Sequence, residues 1–242
     1  MRTENNNFKM GIRDGMAVAL GYIAISFGFG IISVSSGLSW YESLFISMFN
    51  LTSAGQLAAV PIFASGGTLA ELALSQVVIN SRYALMSVSL SQRFGRNIGF
   101  LDKLLIGFAN TDEIYAVAIG RGETLGRKYM LGLIICPYIG WSVGTLLGAL
   151  AGNILPELLV TALSVSLYAM FIAILVPAAK RDRRVLICIV ISMAVSSVLT
   201  YVPVLNKIPS GFRVVICTVA VSALLALLAP IADDDDEEEV RV

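Results

Sequence analysis

The residues of this chain best equipped for chemistry stand inside long apolar runs. Asn80 and Arg82 lie in the middle of Leu69–Ser91, and Asp112 and Glu113 lie inside Lys103–Gly120, directly after Asn110 and Thr111. A charge deep in an apolar segment costs a few kcal/mol or more unless it is paired or hydrated. Arg82 therefore needs a carboxylate, a set of carbonyls or a ligand; a purely structural ion pair is the plain alternative. The two acids can bind a cation or a substrate ammonium, or carry a proton once desolvation favours the neutral form. Solvated acids on a surface hairpin are the plain alternative there.

Spacing sharpens these candidates. Gln76, Asn80, Tyr83, Ser87 and Ser91 fall on one helical face and form a polar stripe. Arg82 points roughly 200° away from Asn80 on an ideal helix, with Ser75 and Ser89 above and below it. Asp112 and Glu113 lie about 100° apart on a helix, so both face one cavity only where the backbone is broken. A third polar stretch, Asn50–Gln56, interrupts the run Ser43–Ala64. Gly55 and its flanking hydroxyls can unwind a helix there, leaving Gln56 to offer an amide donor and acceptor. The plain alternative is a Gly/Ser packing face.

The elements that must position these residues are membrane helices. The chain has 242 residues, 57% hydrophobic and 14% charged, against about 25% charged in soluble domains. Too few polar groups exist to cover a water-facing surface. A span needs about 20 apolar residues, and eight runs qualify or come close: Met16–Ser36, Ser43–Ala64, Leu69–Ser91, Lys103–Gly120, Tyr129–Gly152, Leu159–Ala179, Val185–Val202 and Phe212–Ile231. The first run is too long and Gly-rich for a cleaved leader, so it reads as the first span. The fold class is an all-α integral membrane protein, a polytopic bundle of about 6–8 hydrophobic segments. Residues 1–9 read as a polar cytoplasmic terminus, 10–232 as one transport domain and 233–242 as an acidic cytoplasmic tail.

Basic residues orient the chain. Arg2, Lys9 and Arg13 place the N-terminus inside; Arg93, Arg96 and Lys103, then Arg121, Arg127 and Lys128, then Lys180–Arg184 mark further cytoplasmic connections. Gly37–Glu42 and Gly152–Glu157 carry no basic residue and fall outside. Eight simple crossings do not fit these assignments. Lys103–Gly120 must enter and return, and Ser43–Ala64 with Leu69–Ser91 must together make one net crossing, so one of that pair is also broken or re-entrant. Irregular backbone at membrane depth survives only where protein or a wet cavity satisfies it, so the parity failure itself points to the site.

Other classes are disfavoured. Histidine is absent, which removes the commonest metal ligand and general base. Cys136, Cys188 and Cys217 sit singly in apolar runs and read as inert thiols. No cofactor, metal or nucleic-acid partner is implied, and an enzyme is not expected. No phosphate-binding Gly-x-x-x-x-Gly-Lys-[Ser/Thr] loop is present, so ATP drive is not encoded. Gly140, Gly144, Gly148 and Gly152 repeat every four residues and read as a close-packing strip, internal or against a second subunit, with Gly11 and Gly15 a weaker pair.

Several short motifs in register resemble the AzlC family of bacterial branched-chain amino acid permeases. They are Ala54-Gly55-Gln56, Asn80-Ser81-Arg82-Tyr83 with Leu85-Met86-Ser87, Thr111-Asp112-Glu113, and Trp141-Ser142 with Gly144 and Gly148. The resemblance covers roughly residues 11–180; the first run lacks prolines that the family pattern carries. It implies export of leucine, isoleucine and valine across the cytoplasmic (inner) membrane of a bacterium or archaeon. It also implies a second, smaller membrane subunit of the AzlD type. The reading is a secondary transporter: Gly55, Gln56, Asn80 and Arg82 bind substrate, and Asp112 or Glu113 carries a coupling proton. A channel built on the same polar groups, or a non-transporting assembly subunit, are the rival readings.

Overall fold

The computed structural model describes residues 7–95, 98–122, 124–152, 154, 156, 158, 165, 169, 171–172 and 175–228. Helix α1 is Phe8–Ser35, with the Asn7 side chain capping its first turn. It begins inside the stretch read as a polar terminus, because that cap and not the apolar run sets its start. Next come α2 (Trp40–Phe49) and α3 (Ser53–Ala64), then α4 (Leu69–Ser91). After these follow α5 (Phe100–Phe108), α6 (Asp112–Gly120) and α7 (Arg127–Ala151). The last two are α8 (Arg183–Tyr201) and α9 (Ser210–Leu228). The run Leu159–Ala179 lies mostly outside the described residues, as do the acidic tail and residues 1–6. Among the described residues α1, α7, α8 and Ser210–Leu227 of α9 are long and apolar enough to cross a membrane.

The core is the parallel pair α1 and α7, and small residues let it close. A Cβ on Gly140 would meet the Ala19 carbonyl at 2.7 Å, and one on Gly144 would meet the Ile23 carbonyl at 2.5 Å. One on Gly148 would strike the Phe27 carbonyl. In return Gly11 and Gly15 of α1 face the Tyr129 and Leu133 carbonyls of α7. The glycine strip is thus consumed inside the chain. It offers no close-packing face to a second subunit, and Gly152, at the end of α7, has looser surroundings.

Two apolar runs are broken, and each folds back on itself. Between α5 and α6 the helix stops at Ala109 and restarts at Asp112, where the Thr111 hydroxyl caps the new turn. The backbone before α5 and after α6 is paired: Gly95 N–H donates to the Leu125 carbonyl at 2.9 Å and Leu125 N–H to Arg93 at 2.8 Å. The segment therefore enters and leaves at the same end of the bundle. Arg127–Asp102 at 2.8 Å and Arg121–Asp14 at 3.1 Å pin both legs to α7 and α1 there. With nine residues each, α5 and α6 reach about 14 Å inward, about half of a hydrocarbon core near 30 Å.

The second hairpin is α2–α3, entering from the opposite end. It breaks at Asn50-Leu51-Thr52, and the Thr52 hydroxyl accepts from Gly55 N–H at 2.9 Å. Ser43 donates to Ser33 near the end of α1, and Val60 of α3 packs on Leu38 and Phe29. Phe63 and Ala64 thus come back beside Tyr41 and Ile46. Gly37 and Gly66, with φ of +96° and +66°, make the turns before and after it, a backbone region that glycine enters without steric cost. Helix α4 runs between the two hairpins. Its neighbour at the far end is α9, whose Gly211 N–H donates to the buried Glu71 carboxylate at 2.7 Å.

Candidate functional site

The two hairpin tips meet at mid-bundle, and one small cavity lies between them. It is lined by Tyr22 and Ile25 of α1, Leu51, Ser53 and Ala54 of the first tip, and Arg82 and Tyr83 of α4. Thr111, Asp112 and Glu113 of the second tip, Trp141 of α7 and Phe171 close it. Its volume is about 40 Å³, room for about three or four waters at roughly 10–15 Å³ each. An amino acid with a branched side chain is larger than this space as it stands.

The adjacent acids have different partners. Arg82 grips Asp112 with both nitrogens, Nη1 to Oδ1 at 3.0 Å and Nη2 to Oδ2 at 2.8 Å. Arg82 also donates to the Tyr83 hydroxyl at 2.7 Å and lies 4.6 Å from the Tyr83 ring centroid. Glu113 has no ion-pair partner among the described residues; its Oε2 accepts from the buried Tyr22 hydroxyl at 2.6 Å. Tyr22 also meets the Thr111 hydroxyl at 2.5 Å. The break before Asp112 is what lets both acids line one space.

Of the other sequence candidates, Gln56 is fully buried and donates to Ser47 at 2.8 Å, which in turn meets Thr145 at 2.6 Å. Gly55 is pressed beneath Gln76, whose amide donates to the Gly55 carbonyl at 2.9 Å. Asn80 donates to the Gln76 side chain at 3.1 Å, and so does Asn50, at 2.9 Å. These residues form a polar knot behind the first tip and stand outside the cavity lining. The stripe on α4 therefore serves two tips: Gln76 and Asn80 hold the first, while Ser87 accepts from Asn110 of the second at 3.1 Å. Arg82 and Ser89, on the other side of α4, meet α6, Ser89 pairing with Tyr115 at 2.9 Å.

Sequence reasoning missed Tyr22 and Trp141 as site residues. Their rings meet edge to face, with centroids 4.9 Å apart. Tyr22 is the one tyrosine of the Gly-rich run Met16–Ser36, and nothing in its spacing marks it. Trp141 was visible as a neighbour of the glycine strip and in the Trp141-Ser142 motif, with no role attached to it.

The profile of the AzlC protein family matches residues 17–155. The chain belongs to the AzlC family. Both tips, α4 and Trp141 fall inside that match. Among its relatives is the inner membrane protein YgaZ of Escherichia coli K12, 27% identical over 73% of this chain and 75% of that protein. An uncharacterized membrane protein of Archaeoglobus fulgidus is 27% identical over 72% of this chain and 76% of its own. No solved structure matches the chain. Membership of the AzlC family makes this a membrane protein with a transport-type role.

Proposed function

We propose that this protein is a secondary transporter that exports branched-chain amino acids across the cytoplasmic membrane of a bacterium or archaeon, coupled to protons. One observation carries the reading: two half-helix N-termini face one cavity from opposite ends with opposite equipment. The first turn of α3 has no acid, whereas α6 opens with Asp112 and Glu113. Each N-terminus carries about +0.5 elementary charge. Together with Arg82, Asp112 and Glu113 these partial charges cancel, yet the poles stay apart. Such a site suits a net-neutral zwitterion, carboxylate toward α3 and ammonium toward Glu113. Ile25, Leu51 and Phe171 in the lining supply an apolar wall for a branched side chain.

Asp112 is held by Arg82, which leaves Glu113 as the acid free to exchange a proton or an ammonium group. The end of the bundle that carries Asp14 also gathers Arg13, Arg93, Lys103, Arg121, Arg127 and Lys128. On the charge rule this basic end, with the N-terminus, is read as cytoplasmic. A smaller subunit of the AzlD type completes the proposed assembly, against lipid-level faces other than the glycine strip.

The test is reconstitution of the full chain, with and without that subunit, in vesicles. Radiolabelled leucine is followed with and without an imposed pH gradient, with isoleucine and valine as competitors. Gradient-driven accumulation that all three compete for supports the reading. Ion current with no amino acid movement overturns it in favour of a channel.

A further inference from the structure

Trp141 is 2% exposed, lines the central cavity, and its indole N–H finds no acceptor among the described residues. A buried donor left without a partner costs free energy of the order of a lost hydrogen bond. Here the cost is sustained in a family-matched helix, at the wall of a cavity where both hairpin tips converge. The ring is fixed: Tyr22 packs edge-on against it and Leu51 of the first tip completes the cluster. The N–H therefore cannot turn away to find another acceptor.

Beside it the first turn of α3 is also short of acceptors. Thr52 caps only Gly55 N–H, and Gln56 N–H is satisfied by the Thr52 carbonyl at 2.9 Å. The N–H groups of Ser53 and Ala54 have no acceptor among the described residues, and both residues line the same cavity. Every hydroxyl or carboxylate across the cavity is already engaged: Tyr22 with Glu113 and Thr111, Asp112 with Arg82. The unfilled demand is thus for an acceptor on one side of the cavity only.

We propose that the Trp141 indole N–H, with the free Ser53 and Ala54 amides, forms the carboxylate pole of the site. Trp141 donates to one carboxylate oxygen of the bound amino acid and α3 donates to the other. This rests on the zwitterion reading above and names the residues that recognise the acid end. Glu113, at the other tip, takes the ammonium end. The pole is selective by omission: an amine lacking the carboxylate leaves all three donors unpaired.

The experiment uses the full chain, in detergent, and three probes followed by calorimetry. They are L-leucine, 4-methylpentanoate (which lacks the ammonium) and 3-methylbutylamine (which lacks the carboxylate). Trp141→Phe keeps the ring against Tyr22 and removes only the N–H. Ser53→Pro removes one backbone N–H at the first helical position, where proline is tolerated. The preceding Thr52 already has the extended φ −122°, ψ 121° that a following proline requires.

Each variant should weaken leucine and 4-methylpentanoate about 10-fold or more, the usual worth of a hydrogen bond to a charged group. Neither should change the amine. A loss shared equally by all three probes, or no loss in either variant, overturns the carboxylate pole. Thermal melting of each variant separates misfolding from lost contact, and a melted Trp141→Phe leaves Ser53→Pro to decide. Should the wild-type chain, folded, bind none of the probes, the zwitterion reading falls with the pole. If it binds leucine and both variants bind it equally well, the pole alone falls.

Discussion

Arg82 and Asp112 hold one another through two parallel N–H···O contacts, 3.0 and 2.8 Å long, across the gap between α4 and α6. The pair ties α4 to the tip of the α5–α6 hairpin, and both side chains are about half exposed, 52% and 46%. In that geometry the fork-on-fork contact gives orientation as well as attraction. Screening by a wet cavity limits its worth to stability. Removing one partner leaves a charge at mid-membrane depth, and removing both does not. Arg82→Gln and Asp112→Asn should each lower the melting temperature more than the double variant does. A thermal-melt cycle on the four proteins measures the coupling; additive losses would mean that the pair is not a unit.

The α1–α7 seam gives a contrast between glycines. Gly148→Ala drives a Cβ into the Phe27 carbonyl, whereas a Cβ on Gly21 meets nothing within 4 Å. Backbone cannot swing aside as a side-chain end can, so the two helices must part along the seam. Gly148→Ala should cut the yield of folded protein and lower the melting temperature by several degrees. Gly21→Ala should be neutral or slightly stabilising, since alanine is the better helix former by up to about 1 kcal/mol. Equal behaviour of the two would mean that the seam is not where stability resides.

The hairpins predict a labelling pattern that simple crossings cannot produce. With Cys136, Cys188 and Cys217 replaced, single cysteines at Phe100 and Gly120, the ends of α5–α6, should react with an impermeant reagent from one face. Cysteines at Ser36 and Ser65, the ends of α2–α3, should react from the other. Phe100 and Gly120 reacting from opposite faces would restore a straight crossing and separate Asp112 from the first tip.

Much of this architecture was legible in the sequence because charge parity and polar content are one-dimensional. The bounds of α4, Leu69–Ser91, match the apolar run. The α5–α6 break was marked by basic flanks and the α2–α3 break by charge parity alone, while both carry Asn and Thr at the tip, Asn50 with Thr52 and Asn110 with Thr111, whose threonines became the caps. Lateral packing was harder to read. The spacing of Gly140, Gly144 and Gly148 announced a close approach but not its mate, because Gly11, Gly15 and the bare carbonyls of Ala19, Ile23 and Phe27 carry little signal. Tyr22 and Trp141 entered the site because that seam carries them to the tips. Gln56 and Asn80 stand outside the cavity lining, their side-chain amides engaged with neighbouring hydroxyl and amide groups.

The final prediction separates the two acids. A group that must load and release a proton needs two charge states, and an amide has one. Asp112 is locked to Arg82, while among the described residues the Glu113 carboxylate is met by the Tyr22 hydroxyl alone. Glu113→Gln should therefore abolish pH-driven leucine efflux from vesicles yet leave leucine–leucine exchange, which needs only that the loaded carrier reorients. Asp112→Asn should slow both, because it frees the tip from α4 rather than removing a proton carrier. The measurement is radiolabelled leucine movement with and without a pH gradient, in the presence and absence of leucine on the far side. If Glu113→Gln keeps full gradient-driven efflux, Glu113 is not the coupling group. If Asp112→Asn alone loses coupling and keeps exchange, the roles are reversed, and the Arg82 pair must break in each transport cycle.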